Sequence, residues 1–250
     1  MKKIIRVLGA IIVLILAFLI VLPIIFKGEL IQIVKDEANN NLNAKVDFGE
    51  FDLSVFSSFP DFSFKINNVK VEGIGRFEGV TLANIETFET TLDVMSVVKG
   101  EQIGIKSFQL IRPEIHAIVL KDSTANWDIA KPSEQESAVE EEVVDTSETK
   151  FAVSIREYAI KDAHIIYDDR LSDMYAELTG FTHEGAGDFT QDIFDLITNT
   201  EIAELRFDME GVSYAKKMNI DFDVALEIDN PNAKYTFKEN TFKFNQLSLG

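Results

Sequence analysis

Between Ile220 and Asp229 the chain alternates without interruption. Ile220, Phe222, Val224, Leu226 and Ile228 are apolar, while Asp221, Asp223, Ala225, Glu227 and Asp229 between them are mostly acids. Two is the strand period, so the extended segment presents one greasy face and one charged face. At ~3.3 Å per residue it runs ~33 Å, against a usual strand of ~5–6 residues. A strand so long and so one-sided constrains the fold. Its apolar face must be covered by other parts of the chain or left open to a ligand.

The same period governs most of the chain from Ala44 onward. Val46 and Phe48 alternate with polar neighbours, and Phe51, Leu53 and Val55 resume after a bulge expected at Gly49. "DFSFKINNVKVEG" reads as strand, tight Asn67-Asn68 turn, strand. "IETFETTLDV" is a further strand, "MSVVKGE" a single helical turn, and "IGIKSFQLIRPEIHAIVLKD" two strands broken near Arg112-Pro113. "DIFDLITNTEIAEL" is the one later stretch that suits a helix, in whole or in part. A closing hairpin is expected from Tyr235 and Phe237 through Glu239-Asn240 to Phe242 and Phe244. A repeat joins two of these regions: "IKSFQLIRPEIHAIV" (105–119) aligns without gaps on "IREYAIKDAHIIYDD" (155–169). It pairs Phe108 with Tyr158, Leu110 with Ile160 and Ile115 with Ile165, as in a sheet extended by similar units. Strands joined by short turns predict an antiparallel sheet, which can keep one face in water.

Before the strands lie two segments of helical character. Lys2, Lys3 and Arg6 precede a charge-free run from Val7 to Phe26. As a helix this run spans ~30 Å, the thickness of a bilayer's hydrocarbon core. It is longer than the ~7–15-residue core of a cleaved signal and ends without a small-x-small site, so residues 1–27 read as an uncleaved anchor. Basic residues on its N-terminal side place that end in the cytoplasm and the bulk of the chain across the membrane, in the periplasm of a Gram-negative cell. In "GELIQIVKDEANNNLNAKV", Leu30, Val34, Ala38 and Leu42 form one stripe of a short amphipathic helix, which either rests on the bilayer or plugs the end of a sheet. The domain reading is an anchor (1–27), the amphipathic helix with a first β module (28–132), an acidic disordered linker (133–150) and a second β module (151–250). Seven acids, one lysine and no aromatic residue between Ser133 and Lys150 define the linker.

Composition excludes several functions. The net charge is −18, from 24 basic and 42 acidic residues, which argues against nucleic acid as a partner. The chain has no cysteine, hence no disulfide, thiol nucleophile or cysteine-held metal. It has no Gly-x-Ser-x-Gly, His-Glu-x-x-His or phosphate loop. "GIGRFEG" has the wrong spacing for a dinucleotide and reads as a turn. His116 and His164 occupy strand positions, His183 a loop, and Asp168, Asp169 and Asp173 a strand-end loop. Trp127 reads as a packing residue at a strand end. The expectation is a non-enzyme without cofactor or metal.

"LNAKVDFGEFDLSVFSSFPDFSFKINNVKVEG", "IETFETTLDVMSVVKGEQIGIKSFQLIRPEIHAIVLKDSTANWDI" and "VSIREYAIKDAHIIYDD", behind a basic N-terminus and a single span, resemble the AsmA family. The resemblance covers nearly the whole chain and consists of strands and turns, with no catalytic signature. Where such proteins carry Asp-Gly before Asn-Trp, this chain has Asp122-Ser123-Thr124-Ala125. The resemblance implies an inner-membrane anchor, a periplasmic β-rich body related to bridge-like lipid-transfer proteins, and a part in outer-membrane assembly and lipid homeostasis. Such proteins are usually longer, so the strand pattern is expected to continue past residue 250. The fold expected is therefore mainly β, an anchor and a short helix leading into a long, twisted, curled antiparallel sheet. From the residues alone, a closed two-sheet core and an open groove remain equal alternatives. An open groove would offer Ile220, Phe222, Val224, Leu226, Ile228, Tyr235, Phe237, Phe242 and Phe244 to phospholipid or another acyl lipid. The rival reading is a scaffold for outer-membrane protein assembly that binds partners by strand addition.

Overall fold

The computed structural model describes residues 28–54 (apart from 29, 30, 33, 34 and 37), 61–93, 103–131 and 151–249. The expected anchor at 1–27, the helical turn at "MSVVKGE" and the acidic linker at 133–150 lie outside the described residues. Among the described residues no helix is long and apolar enough to cross a membrane.

The described chain builds one twelve-stranded sheet. Its strands are β1 (Ala44–Asp47), β2 (Phe51–Ser54), β3 (Phe62–Gly73), β4 (Thr81–Leu92), β5 (Ile103–Val119), β6 (Phe151–Asp169), β7 (Met174–Ala186), β8 (Ile193–Met209), β9 (Val212–Asp229), β10 (Lys234–Phe237), β11 (Thr241–Phe244) and β12 (Leu247–Leu249). The order across the sheet is β1-β3-β4-β5-β6-β7-β8-β9-β11-β12, with β2 also on β3 and β10 also on β9. "DIFDLITNTEIAEL" is strand, not helix, and forms most of β8. Its apolar residues pair across both neighbours, so the sheet overrides any local helical preference.

The expectation of an antiparallel sheet needs one correction: β5 and β6 run parallel. The gapless repeat explains the register. Phe108 lies beside Tyr158, Leu110 beside Ile160 and Ile115 beside Ile165, so the offset of the sequence repeat is the register of the parallel pair. Parallel neighbours need a long crossover, and residues 120–150 supply it. Its first part is folded. Asn126, buried, accepts the Ile118 N–H (2.8 Å) and donates to the His116 carbonyl (2.7 Å), so an amide side chain stands in for a neighbouring strand. Trp127 is exposed and leans on Tyr167.

The turns expected inside "INNVKV" and at Arg112-Pro113 are not turns. β3 and β5 continue through both as single strands. Asn68 (φ 55°), Arg112 (φ 46°), Asp162 (φ 52°), Gly180 (φ 62°) and Lys217 (φ 53°) each take a left-handed conformation inside β3, β5, β6, β7 and β9. The first four fall at one level of the sheet, between the pairs Asn67–Thr87, Thr87–Ile111, Ile111–Lys161 and Ile160–His183 on one side and Val69–Ile85 and Glu114–His164 on the other. One left-handed residue inserted in a strand makes a bulge that bends it and shifts its parity. The apolar series accordingly changes parity there, from Phe108 and Leu110 to Pro113 and Ile115, and from Tyr158 and Ile160 to Ala163 and Ile165. Asn, Asp and Gly are the residues that tolerate this conformation best. At Gly180 space matters too, because a Cβ would come within 2.8 Å of the Ala203 Cβ.

The expected Tyr235–Phe244 hairpin is likewise corrected. β10 and β11 both pair with β9 and lie end to end along it as one interrupted strand. The side chain of Asn240 accepts the Ala225 N–H at the interruption (2.8 Å) and so keeps the ladder bonded. The tight hairpin is β11–β12 instead, through Asn245 (φ 53°). "GIGRFEG" is a turn with one short 3-10 segment, Gly75–Phe77.

Among the described residues, one hydrophobic cluster lies at the β1–β3 end. Phe48, Phe51 and Ile66 are buried together, with Ile31, Val46, Phe64, Val69 and Phe88 packed around them. Ile31 comes from the segment 28–41, whose described residues are helical. Lys35 pairs with Asp47, and Asn39 bonds both the carbonyl (2.9 Å) and the N–H (2.8 Å) of Val46. The amphipathic helix thus plugs the β1–β3 end of the sheet.

Candidate functional site

Residues paired across neighbouring strands share a face. One such row runs from Ile66 through Phe88, Leu110, Ile160, His183, Thr200 and Phe222 to Phe242. The row beside it runs from Phe64 through Thr90, Phe108, Tyr158, Gly185 and Thr198 to Val224. These rows are the apolar face, and neither contains a charged side chain. The nine residues expected to contact lipid extend the same face. Phe242 pairs with Phe222, Phe244 with Ile220, Phe237 with Leu226 and Tyr235 with Ile228, so all nine form one patch on β9, β10 and β11.

Cover over that patch is partial. Ile220 is 7 % exposed, and Phe222, Val224, Leu226, Ile228, Phe242 and Phe244 are half-buried. Tyr235 and Phe237 are 63 % and 67 % exposed. No second sheet faces them among the described residues. The closed two-sheet core is therefore not the arrangement seen.

The opposite face is polar and largely self-paired. Lys161 bridges Glu184 (3.3 Å), Lys217 bridges Glu204 (3.5 Å), and the Asn199 amide donates to Asp223 (2.7 Å). His164 bonds Glu177 (2.9 Å), which together with the Tyr175 hydroxyl holds that carboxyl below its usual range. The concavities of this face are shallow, one of about 360 Å³ bordered by Gln109, Lys161, Glu184 and Asn199. Asp169 accepts the Leu171 and Ser172 N–H groups in a strand-end turn (2.9 and 3.0 Å). Among the described residues no cluster of His, Asp and Glu has the arrangement of a metal site.

Sequence reasoning misplaced one of the three histidines. His183 is not in a loop but in β7, on the apolar face. Its Nδ1 lies 2.7 Å from the Thr200 hydroxyl and its Nε2 3.2 Å from the Tyr158 hydroxyl. Burial lowers the His183 pKa and raises that of Tyr158. Phe108 stacks on Tyr158 (5.7 Å) and Phe181 on His183 (6.2 Å). Gly185 makes room for this arrangement, since a Cβ there would come within 2.3 Å of the Tyr158 ring. The available signal was the parity of β7, in which Phe181, His183 and Gly185 alternate with Thr182 and Glu184.

The fold and the face together define a class: a mainly β protein built on one open, mixed sheet whose apolar side is only partly covered. The sequence model of the AsmA family matches residues 1–183, and the chain belongs to that family. No curated protein and no solved structure gives a significant match. The family match ends within β7, so the patch on β9–β11 lies beyond it. Membership suggests a role related to outer-membrane assembly and lipids at the level of the family.

Proposed function

We propose that this chain is a non-enzymatic, membrane-anchored protein of the periplasm that holds phospholipid along the apolar face of its sheet. Residues 1–27 fix it in the inner membrane. The carrying observation is the half-open patch on β9–β11, with Tyr235 and Phe237 mostly in solvent beside Ile228 and Leu226. A soluble surface normally hides a patch of this kind. Acyl chains gain ~0.8 kcal/mol per methylene removed from water, so a strip of apolar side chains binds them without any specific pocket. The row of bulges bends the strands locally. Successive apolar positions are nearly equivalent, so a lipid moves along them without a chemical step.

Lipid extraction and mass spectrometry of the purified full chain test this reading. Co-purifying phospholipid is expected, and Val224→Asp should reduce it several-fold while the fold survives. Protein free of lipid, with a Val224→Asp variant that functions normally in the envelope, overturns it. The scaffold reading draws on one observation, the exposed β12 edge with Leu247 in solvent. A photo-crosslinker at Phe237 separates the two: acyl adducts support lipid handling, protein adducts support a partner in outer-membrane assembly.

A further inference from the structure

Near its middle the apolar face is interrupted by an organised polar group. Tyr158, His183 and Thr200 form a chain of two hydrogen bonds, Tyr158 Oη to His183 Nε2 and His183 Nδ1 to Thr200 Oγ1. With a neutral imidazole the three groups carry three polar hydrogens, one each. Two hydrogens serve the two internal bonds. One remains, and it must sit at an end of the chain.

Which end is decided by burial. Thr200 is only 2 % exposed, and an unpaired hydroxyl hydrogen there costs the desolvation of a buried donor. Tyr158 is only half-buried, with the rings of Phe108 and Phe189 beside it, so its hydroxyl keeps access to solvent or ligand. The favoured arrangement has Thr200 donating to Nδ1, the Nε2 hydrogen donating to the Tyr158 oxygen, and the Tyr158 O–H directed outward. The ring is held for that purpose, with Phe108 stacked at 5.7 Å and a glycine at 185 under it.

We propose that the Tyr158–His183–Thr200 chain seats the ester carbonyl of an acyl-glycerol lipid, fixing where along the apolar face the lipid's glycerol end comes to rest. The inference rests on the lipid reading above and adds the register of the ligand to it. The chemistry selects the carbonyl. A lone neutral donor among hydrocarbon matches a neutral acceptor, whereas a phosphate or carboxylate calls for a cation. Neither apolar row supplies one. Phe222 and Phe242 to one side, and Ile160 and Leu110 to the other, receive the chain that the carbonyl terminates.

The experiment uses the full chain and two phospholipids with the same headgroup and chain lengths, one diacyl and one dialkyl, the second having ether oxygens in place of ester carbonyls. Wild type should bind the diacyl lipid about fivefold more tightly, the factor of one neutral hydrogen bond. Tyr158→Phe keeps the ring and its stacking, so it should remove the preference while leaving the affinity for the dialkyl lipid unchanged. That unchanged affinity also shows that the variant is folded. Equal binding of both lipids by wild type, or a preference that survives Tyr158→Phe, overturns the seat and leaves the lipid reading standing. Binding of neither lipid overturns the lipid reading and the seat with it.

Discussion

The two ends of the sheet carry equally apolar faces and treat them differently. At the β1–β3 end, Phe51 is 1 % exposed under Ile31 and the helical segment. At the β9–β11 end, Phe237 is 67 % exposed on the same kind of alternating strand. The strands themselves do not account for the difference. Burial in a single-layer sheet comes from whatever lies across it: the helical segment at the β1–β3 end, and Phe189 of the β7–β8 loop beside Tyr158 and Phe194 farther along. The same kind of apolar strand face is therefore fully covered at Phe51 and mostly open at Tyr235 and Phe237.

The strongest test of that contrast substitutes one phenylalanine at each end. Phe51→Ala should cost about 3–5 kcal/mol, as large-to-small changes in a packed cluster do. Phe237→Ala should stay within about 0.5 kcal/mol, as for an exposed position. Urea unfolding of the two variants in parallel measures both. Similar losses would show that the β10 face is covered after all, and the contrast would collapse.

A second test concerns the row of bulges between the ends. Asp162→Val places a β-branched residue where φ is 52° and should cost about 1–2 kcal/mol, while Asp162→Asn should be tolerated. Chemical denaturation of the pair reads the difference. A neutral valine would mean that β6 does not need the left-handed residue to keep Tyr158 and Ile165 on one face.

These bulges also explain what the sequence disclosed and what it hid. Alternation was legible in almost every strand, because it reflects a face that must be apolar. The nine patch residues come out together for the same reason, and the offset of the repeat even carries the β5–β6 register. Asn67-Asn68 and Arg112-Pro113 misled because a left-handed residue serves a reverse turn and a bulge alike, and only neighbouring strands decide which. The parallel pairing was hidden because short-range pattern cannot say which partner a strand meets across a long crossover. His183 was missed because a histidine between Thr182 and Glu184 reads as polar loop unless the parity of β7 is already known.

A third, smaller effect separates the faces by pH. Burial lowers the His183 pKa from its ordinary 6.5. The unfolded chain then takes up a proton before the folded one does, so the stability contributed is present above about pH 6.5 and is lost as pH falls toward the lowered folded value. Unfolding midpoints at pH 7.5 and pH 5.5 should diverge more in wild type than in His183→Gln. Equal divergence would show that His183 is solvated, and with it that the apolar face is wet at its middle.

The smallest effect is expected at Glu86 and Arg112, whose ion pair spans the row of bulges. The Arg112 guanidinium, chiefly through its hydrogen bonds, holds the Glu86 carboxyl below its ordinary 4.5, so any contribution is present above that pH and fades as acid protonates the carboxylate. Both side chains are exposed, however, and water and salt screen such pairs to near nothing. Glu86→Gln should therefore leave the thermal midpoint unchanged within error at neutral pH. A clear loss, especially one that disappears at high salt, would mean that the charge pair helps to set the bend. The distinction between the covered and the open end would then depend on surface electrostatics as well as on the backbone conformation at Arg112 and Asp162.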